Sequence, residues 1–414
     1  MKRYLTSAVE QALSSILNLG VNLLLIRLTA PEQFGAFALW ANAAFVICGV
    51  QNALTLVHLQ VAQGDGSSEP RLSLERLMHA VNMITLGVSA IGVLAAALVL
   101  QAKGSAVGAP AAALFVPAFL AQQYVRALAF SRGAPNTAMF QTGAVLVLAM
   151  ILLAAGQALF SPLSANAVLT LMGAAYGAVA LVGYWRATRG QGGEAWDRLR
   201  TYGAYARQSG WVFLGVTTTE VLTRFYAFIV AGAHGPAALA ALTATQLLLR
   251  PIPLLAASWG MVARADLVRR RDSGDWRGFK LIIGAALAGG LVISLLWTGM
   301  VYIAWTTLCR LLFHDKYASD GWMVLLWGLS ALFAFCQLAI GSGLQVLKAF
   351  KPLALANAAA AIVAVAGIFI AMRAWGPAGA IVGTAAGQGL ELIVMAAVLV
   401  RELKTARAAS PAFA

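Results

Sequence analysis

The sequence predicts an all-α polytopic membrane protein of about twelve transmembrane helices. Of its 414 residues, 61% are hydrophobic and only 11% are charged, whereas soluble domains are about half apolar and a quarter charged. The apolar residues recur along the whole chain in runs of ~20, the length of helix that crosses a bilayer. Basic residues lie in the short connections between these runs, a pattern typical of membrane proteins.

Twelve apolar runs are the candidate spans. In chain order they cover residues 7–28, 36–62, 78–101, 111–130, 136–158, 165–185, 209–232, 238–262, 280–304, 321–343, 353–372 and 378–400. No connection on the outer side is long enough to hold a catalytic domain. We therefore expect the protein to act within the membrane.

The basic residues predict the orientation of the spans. With the N-terminus inside, the cytoplasmic segments hold twenty-one of the 29 Lys and Arg residues. The outer segments hold four, namely Lys103, Arg310, Lys316 and Arg373. Such a bias over short loops indicates that both termini are cytoplasmic and that the number of spans is even.

The longest cytoplasmic connection divides the spans into six and six. It covers about residues 186–208 and contains the sequence Gly-Gln-Gly-Gly-Glu. A turn at 30–37 follows the first span and a turn at 235–242 follows the seventh, at a constant offset of 205 residues. This spacing favours two six-helix lobes in parallel orientation, which we assign to residues 1–203 and 204–414.

Several function classes are excluded by the residue types. The net charge of +14 would suit a nucleic-acid partner, but such a partner requires the basic residues on one water-facing surface. The three cysteines lack both a disulfide framework and a metal-binding spacing. A phosphate-binding Gly-x-x-x-x-Gly-Lys-Ser/Thr loop is absent. We therefore expect no nucleic-acid partner, no metal and no cofactor.

Polar residues inside spans are costly in a bilayer and are therefore candidates for function. On the first span Glu10, Ser14, Asn18 and Asn22 recur every four residues. These side chains therefore lie on one helix face. On the second span Asn52 and His58 belong to a shorter polar face. Such faces must contact one another or a hydrated cavity.

The seventh and eighth spans carry charged side chains. Glu220 and Arg224 are four residues apart on one helix and can pair. Arg250 has no acid within four positions, follows Gln246 by one turn, and precedes two prolines that predict a kink. Because a guanidinium group presents a planar fork that suits phosphate oxygens, we predict that Arg224 and Arg250 bind a pyrophosphate.

Simpler structural roles stay open for each of these residues. Asn and Gln side chains in spans often only join helices, and Glu220 with Arg224 could be a neutralised packing pair. Arg126 is near the end of its span, and we expect its side chain to extend to the headgroups. Candidates for ion coupling or charge balance are the three carboxylates Glu10, Glu220 and Glu391.

Three short segments resemble a known transporter family. Residues 23–39, LLLIRLTAPEQFGAFAL, are similar to the first helix end and first outer turn of polysaccharide-type (Wzx-like) flippases. The turn at 232–241 and the Gly-Pro-Ala-Gly-Ala run at 376–380 also resemble this family, which belongs to the multidrug/oligosaccharidyl-lipid/polysaccharide exporter superfamily. The resemblance implies two six-helix lobes around a central cavity lined by helices 1, 2, 7 and 8. Lipid II flippases of the superfamily usually have fourteen spans, which argues against a peptidoglycan precursor as cargo.

The resemblance implies a transporter rather than an enzyme. The expected function is translocation of a lipid-linked, undecaprenyl-pyrophosphate oligosaccharide across a bacterial inner (plasma) membrane by alternating access, for surface polysaccharide, exopolysaccharide or O-antigen synthesis. Arg224 and Arg250 would hold the pyrophosphate. Sugars or water would contact Asn18, Asn22, Asn52 and Gln246. Expected partners are the saccharide substrate, membrane lipids, and a polysaccharide polymerase or other synthesis proteins.

Two alternatives stay open. A cation-coupled multidrug antiporter of the same superfamily would need unpaired carboxylates within the membrane, and only Glu10 and Glu391 are obvious. A membrane saccharide polymerase or ligase would need catalytic groups at the outer surface. The longest outer segment, about 305–320, is expected to be a solvated loop, with Arg310, His314, Asp315 and Lys316 as its only candidates.

Overall fold

The computed structural model describes residues 2–61, 68–189 and 196–409, and all the regular secondary structure of this part of the chain is helical. The α-helices are α1 (Lys2–Leu28), α2 (Pro31–Gln51), α3 (Val57–Val61), α4 (Ser68–Ala102), α5 (Ala112–Ser131), α6 (Pro135–Phe160), α7 (Ala165–Thr188), α8 (Gly203–His234), α9 (Pro236–Leu247), α10 (Pro251–Asp272), α11 (Trp276–Ile303), α12 (Trp305–Phe313), α13 (Met323–Val346), α14 (Phe350–Trp375) and α15 (Gly379–Ala409). A π-helical turn joins α2 to α3 at Asn52–Leu56, and short 3₁₀ helices occupy Trp196–Tyr202, Ala318–Asp320 and Gly376–Ala378.

The prediction of about twelve spans is confirmed. Within the described ranges, ten helical stretches are long and apolar enough to cross a membrane, and the bent pair of α9 and α10 makes an eleventh. One of the ten, Phe350–Arg407, contains both α14 and α15. These two helices reverse direction at Gly376, whose positive φ of 56° suits a residue without a side chain. When α14 and α15 are counted as two spans, the total is twelve.

The chain forms two compact units. The first contains Met1–Thr217 and Ala231–Ala240, and the second contains Thr218–Val230 and Ala241–Ala414. Helix α8 therefore contributes residues to both units. The assignment of lobes to 1–203 and 204–414 stays a prediction.

Local residue types explain where the helices begin. Proline is the first residue of four of them, namely α2, α6, α9 and α10, where its missing N–H costs nothing. Ser164 caps α7 by accepting the N–H of Ala167 at 3.2 Å. Asp275 caps α11 by accepting the N–H of Gly278 at 2.8 Å.

Buried amide groups join the helices of the first unit. Gln51 at the end of α2 is fully buried, and its Nε2 donates to Asn82 Oδ1 at 2.7 Å and to the Leu120 carbonyl at 2.9 Å. Asn82 in turn donates to the hydroxyl of Tyr184. These bonds connect α2 with α4, α5 and α7, which satisfies polar groups that lipid could not.

In the second unit α14 and α15 pack closely through small residues. A Cβ on Gly383 would collide with the backbone of Gly367 and Ile368, and a Cβ on Gly387 would collide with Ala364. Close approach of this kind replaces the hydrophobic effect, which lipid does not supply, with dense van der Waals contact.

The expectation of a solvated outer loop at about 305–320 is wrong. Nine of these residues form α12, whose Trp305, Cys309 and Phe313 are buried. Their spacing of four is helical, but the segment is too short for a hydropathy pattern to reveal it. The indole of Trp305 donates to the Tyr317 carbonyl at 3.2 Å, and partial burial lowers the pKa of Lys316.

Candidate substrate and coupling sites

The first element of the candidate site is an ion pair on α8. Arg224 Nε donates to Glu220 Oε2 at 2.7 Å, with side chains that are 31% and 21% exposed. The pairing predicted from the spacing of four residues is confirmed. Glu220 therefore balances the charge of Arg224.

The second element is a break in the eighth span. Helix α9 ends at Leu247 and α10 begins at Pro251, with a bend of 53° between them. Pro251 and Pro253 have no N–H, so the carbonyls of Leu247 and Leu249 lose their usual donors. The N–H groups of residues 250 and 252 replace them at 3.4 and 3.1 Å. The predicted kink is confirmed.

A tryptophan stabilises the break. Trp297 of α11 donates its indole N–H to the carbonyl of Leu248 at 2.9 Å. Leu248 lies within the turn that separates α9 from α10, where its carbonyl has left the regular helical ladder. A side-chain donor therefore satisfies a backbone group that would be costly to leave unpaired in a membrane.

Arg250 lies at this break, as the residue that precedes α10. It is half-buried, and no carboxylate of the described residues forms an ion pair with it. Arg224 and Arg250 are close enough for their positive charges to repel each other. An anion between the two guanidinium groups would relieve this repulsion.

Tyr226 brings the predicted residues together, and sequence analysis missed it. This side chain is 3% exposed, and its hydroxyl donates to Gln246 Oε1 at 3.2 Å. It also interacts electrostatically with both Arg224 and Arg250. The edge of its ring packs against Trp327 with centroids 5.2 Å apart. Because aromatic residues are common in spans, no sequence pattern indicated this role.

Together these residues form what we call the arginine cluster, namely Arg224, Tyr226, Gln246 and Arg250. Three of its four members were predicted to bind substrate. It presents two guanidinium groups, one of them without a carboxylate partner, beside a tyrosine hydroxyl and an amide. Such a set of donors suits the oxygens of a phosphate or pyrophosphate.

The asparagines of α1 bond within their own helix. Asn18 Nδ2 donates to the Ser14 carbonyl at 2.9 Å, and Asn22 Nδ2 donates to the Asn18 carbonyl at 2.6 Å. Both side chains are half-buried. Asn52, also half-buried, lies at the start of the π-helical turn, and its Oδ1 accepts no hydrogen bond from the described residues. Contact of these three residues with sugar stays a prediction.

Glu10 is buried in an ion pair that joins three helices. Arg126 Nε donates to Glu10 Oε1 at 2.6 Å and Arg126 Nη2 donates to Oε2 at 2.9 Å. Thr142 of α6 donates to the same carboxylate at 2.8 Å. The expectation that Arg126 extends to the headgroups is therefore wrong, because its side chain turns inward to a carboxylate 116 residues away in the sequence.

Glu391 is buried without a basic partner among the described residues. Its side chain, on α15, is 6% exposed. Gln337 Nε2 of α13 donates to Oε2 at 2.8 Å. The amide nitrogen of Asn357 on α14, when turned toward α15, donates to Oε1 at 2.6 Å. Both partners are neutral amides, so nothing fixes the charge of this carboxylate.

The fold is similar to that of several solved multi-pass membrane transporters. No family model and no curated protein matches the chain, but solved structures do. The lipid II flippase MurJ in an inward closed conformation has a TM-score of 0.76 at 12% identity, over 97% of this chain and 90% of its own. An inward-facing multidrug resistance MATE family transporter of the MOP superfamily has a TM-score of 0.77 at 12% identity, over 98% of this chain and 99% of its own. The eukaryotic MATE transporter AtDTX14 has a TM-score of 0.64 at 14% identity, over 98% and 97%. At these identities the likeness establishes the fold alone.

Proposed function

We propose that the protein is a bacterial inner-membrane flippase that translocates an undecaprenyl-pyrophosphate-linked oligosaccharide by alternating access. The observation that carries the proposal is the arginine cluster. Arg250 is half-buried beside Arg224 and has no ion-pair partner among the described residues. A cationic drug would be repelled by such a pair, whereas a pyrophosphate would be attracted.

The proposed cycle begins on the cytoplasmic side. Arg224 and Arg250 bind the pyrophosphate through charge-assisted hydrogen bonds. Gln246, which accepts a hydrogen bond from Tyr226, contacts the part of the cargo next to the pyrophosphate. The polar side chains of Asn18, Asn22 and Asn52 contact sugar or water. The lipid tail stays in the bilayer, so only the polar part of the cargo passes through the protein. Expected partners are polysaccharide polymerase and other synthesis proteins.

The carboxylates divide into two proposed roles. Glu10 and Glu220 balance the charges of Arg126 and Arg224, with which they form ion pairs. Glu391 has only neutral amide donors and is the proposed coupling residue, because its charge can change without breaking an ion pair. Binding of a cation or proton there would couple translocation to the gradient of that ion, which would supply the driving force.

The test is the sidedness of lipid-linked saccharides in cells that lack or contain the protein. We expect inner-leaflet accumulation in its absence, relieved by the intact chain. Arg250→Ala should reduce translocation about 100-fold, the equivalent of ~3 kcal/mol of charge-assisted bonding, and Arg250→Lys should reduce it less. Arg373→Ala, at an exposed arginine of α14, is the matched control. Normal translocation by Arg250→Ala at equal protein level would exclude the arginine cluster as the site.

A multidrug antiporter is the second candidate, and the observation in its favour is Glu391. A buried carboxylate without a basic partner suits recognition or coupling of a cation. Proton release from purified protein on addition of cationic drugs, lost in Glu391→Gln, would support this candidate. This candidate would be excluded if the sidedness of lipid-linked saccharide depends on Arg250 and cationic drugs cause no proton release.

A further inference from the structure

The π-helical turn Asn52–Leu56 follows a residue that is bonded to two other helices. Its Val57 N–H bonds to the Asn52 carbonyl, five residues back instead of four. Immediately before the turn, buried Gln51 is bonded to α4 and α5. A π-helical turn widens the helix and disturbs its carbonyl ladder, and such turns are frequent at functional positions.

A tyrosine from the connection between the lobes binds this turn. Tyr202, the last residue of the 3₁₀ helix Trp196–Tyr202, donates its hydroxyl to the Leu54 carbonyl at 2.8 Å. The two residues are 148 positions apart in the sequence. The acceptor is therefore a backbone carbonyl of the π-helical turn, and the donor is a side chain of the connection.

His58, one turn beyond, extends the contact. It is 6% exposed, and its ring lies edge-on to Tyr205 at 5.2 Å and to Tyr202 at 6.5 Å between centroids. Leu199, Tyr202 and Tyr205 also pack against a buried cluster. That cluster contains Leu56, Leu59, Leu77, Met78, Tyr124, Val125, Leu128 and Ala187. Residues 196–205, which we call the clasp, are therefore docked by both polar and apolar contacts.

The clasp leads directly into α8, the helix that carries Arg224 and Tyr226 of the arginine cluster. Helix α8 begins at Gly203, contains Tyr205 in its first turn and continues without a break to His234. Arg224 lies 19 residues beyond Tyr205 on this helix. An unbroken helix transmits a displacement of its first turn along its length.

We propose that the clasp is a conformational control: it is docked on the π-helical turn in the state described here and must release and dock again during each transport cycle. Docking fixes the first turn of α8, and release frees it to move with Glu220 and Arg224. The contact is suited to reversal because the hydroxyl bond, the ring packing and the apolar packing can all be broken and made again without a chemical change. The inference rests on the proposed transport function for its effect on translocation, but the docking itself does not depend on the cargo.

Two variants separate the hydroxyl bond from the ring packing. Tyr202→Phe removes only the hydroxyl, and His58→Ala removes the ring against which both tyrosines pack. His58→Phe restores a ring and should restore docking. Tyr302→Phe, at an exposed tyrosine of α11, is the matched control. Docking is measured by the rate of trypsin cleavage after Arg198 and Arg200 in membrane vesicles that expose the cytoplasmic face, and function by the sidedness of lipid-linked saccharide.

We expect Tyr202→Phe and His58→Ala to accelerate cleavage several-fold and to slow translocation several-fold, with His58→Phe close to the unaltered protein in both. Faster cleavage with unchanged translocation would overturn the proposal, because the contact would then be packing alone. Unchanged cleavage in both variants would overturn it as well. If the unaltered protein translocates no saccharide, the proposed function fails, while the cleavage rates still test the docking.

A second measurement needs no variant. Hydrogen exchange of the backbone at residues 196–206 is compared between the unaltered protein at rest and during turnover of its cargo. Faster exchange during turnover is expected from repeated release. Equal exchange in the two conditions would overturn the proposal even if the variants failed to fold.

Discussion

Two buried carboxylates, one in each compact unit, differ in what surrounds them. Glu10 in the first unit accepts two hydrogen bonds from Arg126, so the pair carries no net charge. Glu391 in the second unit accepts hydrogen bonds from neutral amides only. A carboxylate paired with arginine is fixed in its charged form, whereas one among amides can gain or lose a charge at smaller cost. Burial alone therefore does not determine whether a carboxylate can change its charge, because its hydrogen-bond partners decide.

Breaking the ion pair between Glu10 and Arg126 should reduce stability the most. Glu10→Ala leaves the Arg126 guanidinium largely buried without its partner, and we expect a loss of about 3–5 kcal/mol of stability. Thermal unfolding in detergent, followed by size-exclusion chromatography, measures this loss. The double variant Glu10→Leu with Arg126→Leu should recover most of it, because no lone charge is then buried. A double variant as unstable as the single one would contradict the ion-pair explanation.

Removing the charge of the second carboxylate should affect transport and leave the fold intact. Glu391→Gln keeps a side chain of the same shape, so we expect a change in stability below about 1 kcal/mol. Transport driven by an imposed ion gradient should fall at least about 10-fold, equivalent to ~1.4 kcal/mol. Glu402→Gln, a half-buried glutamate near the end of α15, is the control. If transport by Glu391→Gln and by Glu402→Gln depends equally on the gradient, Glu391 is not the coupling residue.

A change to Gln337, one of the amides that donate to Glu391, should have a smaller effect. Gln337→Leu removes a donor to Glu391 Oε2 and a second bond to the Gln388 carbonyl, both at 2.8 Å. We expect a loss of about 1–3 kcal/mol, because buried acceptors are left unsatisfied. Combining it with Glu391→Gln should cost less than the sum of the two single changes. Strict additivity of the unfolding free energies would show that the two residues do not interact.

The smallest effects concern two helix caps, one neutral and one charged. Ser164→Ala in the first unit and Asp275→Ala in the second each remove an acceptor for a helix N–H. The Gly278 N–H bond holds the pKa of Asp275 below its ordinary value of 3.8. The Asp275 cap is thus complete above that value and is lost as pH falls through the lower folded-state pKa. Melting curves are recorded from neutral to acidic pH. The decrease in Tm caused by Asp275→Ala should vanish in acid, whereas the decrease caused by Ser164→Ala should persist.

Features set by neighbouring residues could be predicted from the sequence. Apolar runs gave the spans, a spacing of four gave the Glu220–Arg224 pair, and two prolines gave the break after Arg250. The pairing of Glu10 with Arg126 could not be predicted, because it joins residues 116 positions apart through helix packing. Tyr226 was missed for the same reason, since its role depends on where α9 places Gln246.

The break between α9 and α10 determines how easily the eighth span can bend in lipid. In most helices, bending exposes carbonyls that lipid cannot satisfy, so motion is opposed by lost hydrogen bonds. Here Pro251 and Pro253 have no N–H groups, so no straightened form with a complete ladder exists for the bend to compete with. The backbone bonds of the turn, together with the indole of Trp297, are already made. A change of angle at this joint therefore exchanges no helical bonds, and its stiffness is set by the packing of neighbouring side chains.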